Sequence, residues 1–217
     1  MKDEKINIVS KNQLQRFPIY LDLLKKMKSD GHTNVSSQIM ANYLGLSEEA
    51  VKKDFALVSR NPGKPNTGRD IQELIEDFES FLGYNDATTA VLVGVGHLGR
   101  AFLNYEGFKE YGIRILAAFD INPYIIDLKV NGIQIFPNEK MENLIPRLNA
   151  HIGIITAPET RAQEIADMLV KSGIKAIWNF APVHLVLPED IIVQNVNLAS
   201  SLAVLSHELT QKYKKEG

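Results

Sequence analysis

The spacing of apolar residues divides the chain into three stretches. Up to about Leu82 it is helical. Pro18 is expected to open one helix, since proline is tolerated at the first helical position, where its missing N–H is not needed. Leu21, Leu24 and Met27 follow at three-residue steps. A second helix is predicted over 71–82, with Ile71, Leu74, Ile75, Phe78, Phe81 and Leu82 on one side and Gly83 as its stop. Asn85-Asp86 then reads as a linker. From Thr89 to about Val196 short apolar runs alternate with helical stretches: "AVLVG", "IRILAAFD", "GIQIF", "HIGIIT", "KAIWNF" and "IIVQNV". Runs this apolar predict strands buried on both faces, as in a parallel sheet flanked by helices, and so an α/β fold. The last stretch reads as one helix. Its Leu198, Leu202, Leu205 and Leu209 form a stripe that needs another surface to cover it.

Composition narrows the chemistry. The chain has no cysteine, which excludes disulfides, thiolate zinc sites, iron–sulfur clusters and a cysteine nucleophile. That suits a reducing cytoplasm. The start, "MKDEKINIVSKNQ", has no apolar core, so no signal peptide is expected. No apolar run approaches the roughly 20 residues that span a bilayer, so no membrane partner is expected. The net charge of −2 conceals a split: residues 1–69 sum to +5 and residues 70–217 to −7. A basic first third attracts phosphate and an acidic remainder repels it. Chance scatter of charge would look the same.

Within the middle stretch, "VLVGVGHLGRA" places Gly94, Gly96 and Gly99 in the order G-x-G-x-x-G. A buried strand leads in and a helix leads out. The first glycine permits the tight turn, the second lets backbone approach a pyrophosphate, and the third lets helix pack against strand. The N–H groups at the helix start, with Val95, His97 and Leu98 filling the loop, then meet phosphate charge. His97 either touches phosphate or is solvated. Asp120 ends the next strand, where a carboxylate accepts hydrogen bonds from ribose hydroxyls. It also repels a 2′-phosphate, and no arginine follows in "FDINP", which favours NAD(H) over NADP(H). The bland alternative is a strand–helix turn that binds nothing.

The first third contains "VSSQIMANYLGLSEEAVKKDFALVSR", which fits a helix-turn-helix. Ala41 is small where two helices cross, Gly45 lies in the turn, and Val51 faces the core. Ser47 caps the second helix, with Glu49 and Ala50 in its first turn. That helix, 47–58, would enter the major groove and present Lys52 and Lys53. The loop "RNPGKPNTGR" carries Arg60, Lys64 and Arg69 as a basic wing for phosphate or the minor groove. Lysines favour phosphate contact over bidentate base readout. A three-helix packing module with a solvated basic face is the alternative.

Catalytic machinery is not evident. A dehydrogenase needs a substrate domain and a proton donor or acceptor near the nicotinamide. Only about twenty residues follow the sheet. The five histidines form no metal-binding pair, His184 has no evident partner as a base, and no G-x-S-x-G or phosphate-loop lysine motif occurs. The cofactor site is therefore expected to read its ligand and not transform it. A small NAD-linked oxidoreductase with a helical dimerisation domain is the alternative, and a coenzyme A binder is a third reading.

Taken together, "RFPIY", "VSSQIMANYLGLSEEAVKKD", "VGVGHLGRAFLNYEGF", "ILAAFDINP", "IGIITAP", "GIKAIWNFAPV" and "VNLA" resemble the Rex family of redox-sensing transcriptional repressors over nearly the whole chain. The resemblance implies an N-terminal winged helix (1–83), a Rossmann-like NAD(H) domain (84–196) and a C-terminal dimerisation helix (197–217). That helix would be swapped between the subunits of a homodimer on a palindromic operator. It implies release of DNA when NADH binds, no enzymatic activity and no metal. Gly94, Gly96, Gly99 and Asp120 match the family's phosphate loop and ribose carboxylate. Thr156, Ala157 and Pro158, with Asn179, Phe180, Ala181 and Pro182, match segments lining the nicotinamide end. Arg16 and Tyr105 match members of a polar switch, joined by Asn197 where the family commonly carries aspartate. Arg16 and Ser47 complete the DNA-binding set of Lys52, Lys53, Arg60, Lys64 and Arg69.

Overall fold

A computed structural model describes residues 9–63, 67–84 and 88–216. The chain divides into two compact units, Met1–Asp86 and Ala87–Gly217. The expected linker at Asn85-Asp86 lies outside the described residues.

In the first unit α1 (Lys11–Ser29) begins well before Pro18, which lies inside it. Ser10 starts the helix with a capping box: its side chain accepts from Gln13 N, and the Gln13 side chain accepts from Ser10 N. Such a box satisfies two orphan donors. Proline removes one intrahelical bond. Burial of Phe17, Tyr20, Leu21 and Leu24 on either side of Pro18 carries the helix through that loss. After β1 (Asn34–Val35), α2 (Ser37–Leu44) is capped by Ser36 and ends at Gly45, whose φ of 64° is the left-handed turn between the helices. α3 (Glu48–Val58) is capped by Ser47, which accepts from Ala50 N. β2 (Arg69–Asp70) follows and pairs antiparallel with β1, making the base of the wing. Asp70 caps α4 (Ile71–Leu82), and Gly83 ends it as the sequence predicts. Ala41 and Val51 are buried, and the rings of Phe17, Tyr20, Phe55 and Phe78 pack edge-on and stacked at the centre. Phe81 is 41 % exposed, so the apolar side of α4 is narrower than expected.

The second unit is a seven-stranded sheet in the order β5-β6-β4-β3-β7-β8-β9. Its strands are β3 (Thr88–Val93), β4 (Ile113–Asp120), β5 (Lys129–Val130), β6 (Ile133–Pro137), β7 (Ile152–Ile155), β8 (Ala176–Asn179) and β9 (Ile192–Asn195). All neighbours are parallel except the short β5 against β6. The six apolar runs all form strands; β5, two residues long, has no run to announce it. Alternation along β3 sends Val91 and Val93 to one face and Ala90 and Leu92 to the other. α6 (Met141–Leu148) and α7 (Glu159–Lys171) cover the first face, and α5 (His97–Asn104) supplies Leu103 to the second. β9 is the exception to burial on both faces: as the edge strand it leaves Ile192 71 % exposed. α8 (Leu198–Glu216) leaves Leu198, Leu202, Leu205 and Leu209 exposed. No described helix is long and apolar enough to cross a membrane.

Candidate functional site

β3 ends at Val93 and the chain turns at once. Gly94 takes φ +98°, and a Cβ there would press on the Thr156–Ala157 backbone. A Cβ on Gly99 would collide with the Gly94 carbonyl, so α5 lies directly on the turn. Gly96 differs: nothing lies within 4 Å of a Cβ built there, because that side faces the cleft. Gly96 starts α5 without a side-chain cap. The N–H groups of the first turn thus keep no intrahelical partner and an anion can take them. Thr156 Oγ1 donates to Gly94 O at 2.6 Å and pins the turn from β7.

Asp120 completes the turn from β4. Its Oδ2 accepts from Val95 N at 2.6 Å and its Oδ1 from Asn122 N at 2.8 Å. A carboxylate has about four lone-pair sites, so roughly two remain for hydroxyl donors. The resulting cleft of about 830 Å³ lies at the carboxyl ends of the strands, where open α/β sheets bind ligands. The glycine spacing, the uncapped helix start and the carboxylate together fit a pyrophosphate with an adjoining ribose.

The structure brings most of the expected cofactor residues together. Gly94, Val95, Gly96, His97, Leu98, Asp120, Thr156, Ala157, Pro158 and Phe180 line the cleft, and Gly99 packs behind it. Asn179 and Ala181 do not line it. Asn179 is fully buried, its Nδ2 donating to Ala181 O, Val183 O and Asn195 Oδ1, and its Oδ1 accepting from Ala181 N. It shapes the loop that presents Phe180, and Ala181 belongs to the apolar core. Arg100, Ile121, Asn122 and Ile125 line the cleft as well, although no motif in the sequence pointed to them. Their signal was position, immediately after Gly99 and Asp120. Arg100 is exposed, and its Nε donates to Val95 O at 3.3 Å, which sets a cation beside the turn.

The candidate nucleic-acid interface lies in the first unit. Lys52 and Lys53 are exposed on α3, and Lys52 Nζ pairs with Glu48 at 2.8 Å. That hydrogen bond and charge raise the Lys52 pKa. Ser47 is exposed at the helix start. Arg60 opens loop 59–68 and is tied to Asp77 of α4, donating from N at 3.0 Å and Nε at 2.5 Å. Its side chain stays 73 % exposed, which leaves donors facing outward. Lys64 lies outside the described residues.

Arg69, expected with the basic wing, lies on β2 at the wing's base. Its Nη1 donates to Asn61 O, its guanidinium lies 5.6 Å from the Phe55 ring centroid, and burial lowers its pKa. It braces the wing's base from β2, because a long cation next to an aromatic face gains both packing and charge contact. Arg16, expected in the switch and the DNA-binding set, grips Asp54 of α3 with its Nε and Nη2 at 2.7–2.9 Å. Asp54 also accepts from Tyr20 Oη at 2.7 Å and Gln13 Nε2 at 3.1 Å. Burial works against the Arg16 charge, and the contacts with Asp54 and Tyr20 more than offset it, raising the pKa. Of the other two expected switch residues, Tyr105 is 56 % exposed beside Phe108, and Asn197 accepts from Ser200 N at the start of α8.

Comparison with known proteins covers both units. A family model described as "CoA binding domain" matches residues 85–183, and one described as "Putative DNA-binding protein N-terminus" matches residues 8–56. The redox-sensing transcriptional repressor Rex of Bacteroides fragilis is 38% identical over 196 residues, covering 90% of this chain and 89% of that protein. The protein of the same name from Treponema denticola is 37% identical over 199 residues, covering 92% and 94%. Among solved structures, RSP in complex with β-NAD+ and operator DNA is similar with a TM-score of 0.89 at 32% identity, covering 96% of each chain. RSP with β-NADH has a TM-score of 0.86 at 32% identity, covering 97% and 99%.

Proposed function

The chain belongs to the Rex family of redox-sensing transcriptional repressors, and on that premise we propose that its first unit grips operator DNA and its second reads the NADH/NAD+ balance. The observation that carries this reading is the uncapped start of α5, set behind a glycine turn with Asp120 beside it, in the same chain as a helix-turn-helix. The bound dinucleotide supplies a nicotinamide ring that is cationic when oxidised and neutral when reduced. Everything else falls to the protein. The α5 N–H groups and Arg100 hold the pyrophosphate, and Asp120 accepts from the ribose while holding the turn at Val95. Thr156 and Phe180 shape the nicotinamide end, and Ala157 and Pro158, expected there too, also border the annex beside Asp120. Lys52 and Lys53 on α3, Ser47 at its start and Arg60 on the wing face phosphate.

The exposed stripe of α8 supports a homodimer in which a second copy covers it, and two-fold proteins match palindromic operators. The cytoplasm is the place such a repressor works. A ligand shifts a conformational equilibrium only by its difference in affinity for the two states. Similarity to redox-sensing repressors, one of them solved with β-NAD+ and operator DNA, supports the direction: NADH favours the state that releases DNA, and NAD+ does so less. The deciding experiment is an operator gel shift titrated with each dinucleotide. NADH should free the DNA at concentrations where NAD+ leaves the complex intact. Equal effects of the two would overturn redox reading. The match of residues 85–183 to a coenzyme A domain favours one second reading. Thermal shifts with NADH, NAD+, NADPH and coenzyme A separate the two, because binding to the native state raises Tm.

A further inference from the structure

Asn138 is the first residue beyond β6, in a short 3-10 turn, and is 94 % buried, with 6 % of its surface exposed. Among the described residues its Oδ1 is the one buried side-chain polar atom with no hydrogen-bond partner. Buried polar groups in native proteins are nearly always paired, so an orphan acceptor calls for an occupant. Asn138 also lines a small pocket of about 70 Å³, with Gly94, Asp120, Ile121, Pro158 and Arg161. Gly94, Asp120, Ile121 and Pro158 line the main cleft as well, so the pocket is an annex of it.

The register says which part of a ligand reaches the annex. Pro137 of β6 sits opposite Asp120 of β4, and β4 lies next to β3, whose end carries the glycine turn. Neighbouring strands are about 4.8 Å apart. A ligand held by its pyrophosphate at α5 and by a ribose at Asp120 therefore sets the base of that ribose against the end of β6. The other half of the ligand runs the opposite way, past β7 and β8 toward Thr156 and Phe180.

Resting on the dinucleotide reading above, we propose that Asn138 reads the adenine base: its carboxamide oxygen accepts from the exocyclic 6-amino group. Asparagine is a common partner of adenine because its carboxamide matches the donor and acceptor on that base's edge. Oδ1 is itself shut off from solvent, so reading the base requires the carboxamide to turn about its terminal torsion, which is broad in asparagine. In the free protein the acceptor is left unpaired, and adenine relieves that penalty.

The test uses the full-length protein and two reduced dinucleotides, NADH and its hypoxanthine analogue, in which the 6-amino donor becomes a 6-oxo acceptor. Isothermal titration calorimetry on the unmodified protein should show the analogue binding about tenfold or more weakly, as expected when a buried hydrogen-bonding group is left unpaired. In Asn138→Ala the two should bind alike, through a loss of NADH affinity. Equal affinities in the unmodified protein, or a preference that survives in Asn138→Ala, would overturn the assignment to Asn138. The unmodified protein's comparison stands even if the variant does not fold. Absence of NADH binding altogether would instead overturn the dinucleotide reading itself, so the two failures are distinct.

Discussion

Asp54 sits in the apolar stripe of α3, between Val51 and Phe55, and its side chain is almost fully buried. Without partners such a carboxylate would carry a large desolvation cost. Arg16, Tyr20 and Gln13 of α1 supply four donors, so the charge fastens α1 to the helix expected to face DNA. Burial first, and then the bond to Asp54, push the Tyr20 phenol well above its ordinary value. The sign follows: an acid whose folded-state pKa is raised stabilises the fold while it stays protonated, below about pH 10, and that stability is lost as pH climbs past it. The free energy of unfolding should therefore decline above about pH 10, and Tyr20→Phe should remove that part of the decline. The same substitution should lower stability at neutral pH by about 1.5–3 kcal/mol, as for a hydrogen bond to a charged group. Urea unfolding across pH checks both. At Gly96 the open side permits a cleaner experiment. A Cβ built on Gly96 meets no protein atom within 4 Å, so Gly96→Val should leave the fold intact while calorimetric NADH binding is lost. Normal affinity in that variant would remove the phosphate-loop assignment.

The elements differ in how much their neighbours decide. α3 displays Lys52 and Lys53 on its outer side, and the Lys52–Glu48 pair there is an exposed (i, i+4) ion pair that adds little to stability. DNA phosphate can displace it. Replacing both lysines by alanine should weaken operator binding and flatten its salt dependence, the slope falling by about 0.9 for each phosphate no longer neutralised. Fluorescence anisotropy over a salt series measures this, and an unaltered slope would take α3 off the phosphate backbone. The wing behaves otherwise. Arg69 turns inward onto Phe55 and Arg60 is tied to Asp77, so both arginines brace the wing's base. Helix α1 shows the reverse of the expectation for Pro18, because capping by Ser10 and burial around the proline outweigh one missing hydrogen bond.

At the scale of the whole molecule the exposed side of α8 is the feature still to be covered. Leu202 and Leu205 are 67 % and 60 % exposed, which is unusual for a leucine stripe of this regularity. Burying one leucine fully is worth about 1.5–3 kcal/mol, and a two-fold interface counts it twice. Changing Leu202 and Leu205 to aspartate should thus convert a dimer to monomer in sedimentation equilibrium, with operator affinity falling alongside. A monomeric unmodified protein would contradict the homodimer. Such coupling of cofactor, dimer and DNA requires two states with different affinities and not merely two sites in one chain.

Patterns local in sequence were legible in the chain itself. The six apolar runs became strands because a doubly covered parallel sheet admits little else. The glycine spacing gave away the turn because each glycine answers a backbone need. Ser47, Gly45 and Val51 marked the helix-turn-helix because caps and turns are decided within a few residues. What the tertiary structure alone decided were the partners. Asp54 and Asp77 are isolated acids in apolar stripes until folding brings arginines to them. Asn179 matches a segment expected at the nicotinamide end, and its bonds to Ala181, Val183 and Asn195 form only in the fold. Asn138 stood out in no local pattern and became notable only when β6 was laid beside β4. Hydrogen-bond satisfaction of a buried group depends on residues far away in the chain, and only the folded arrangement brings them within reach.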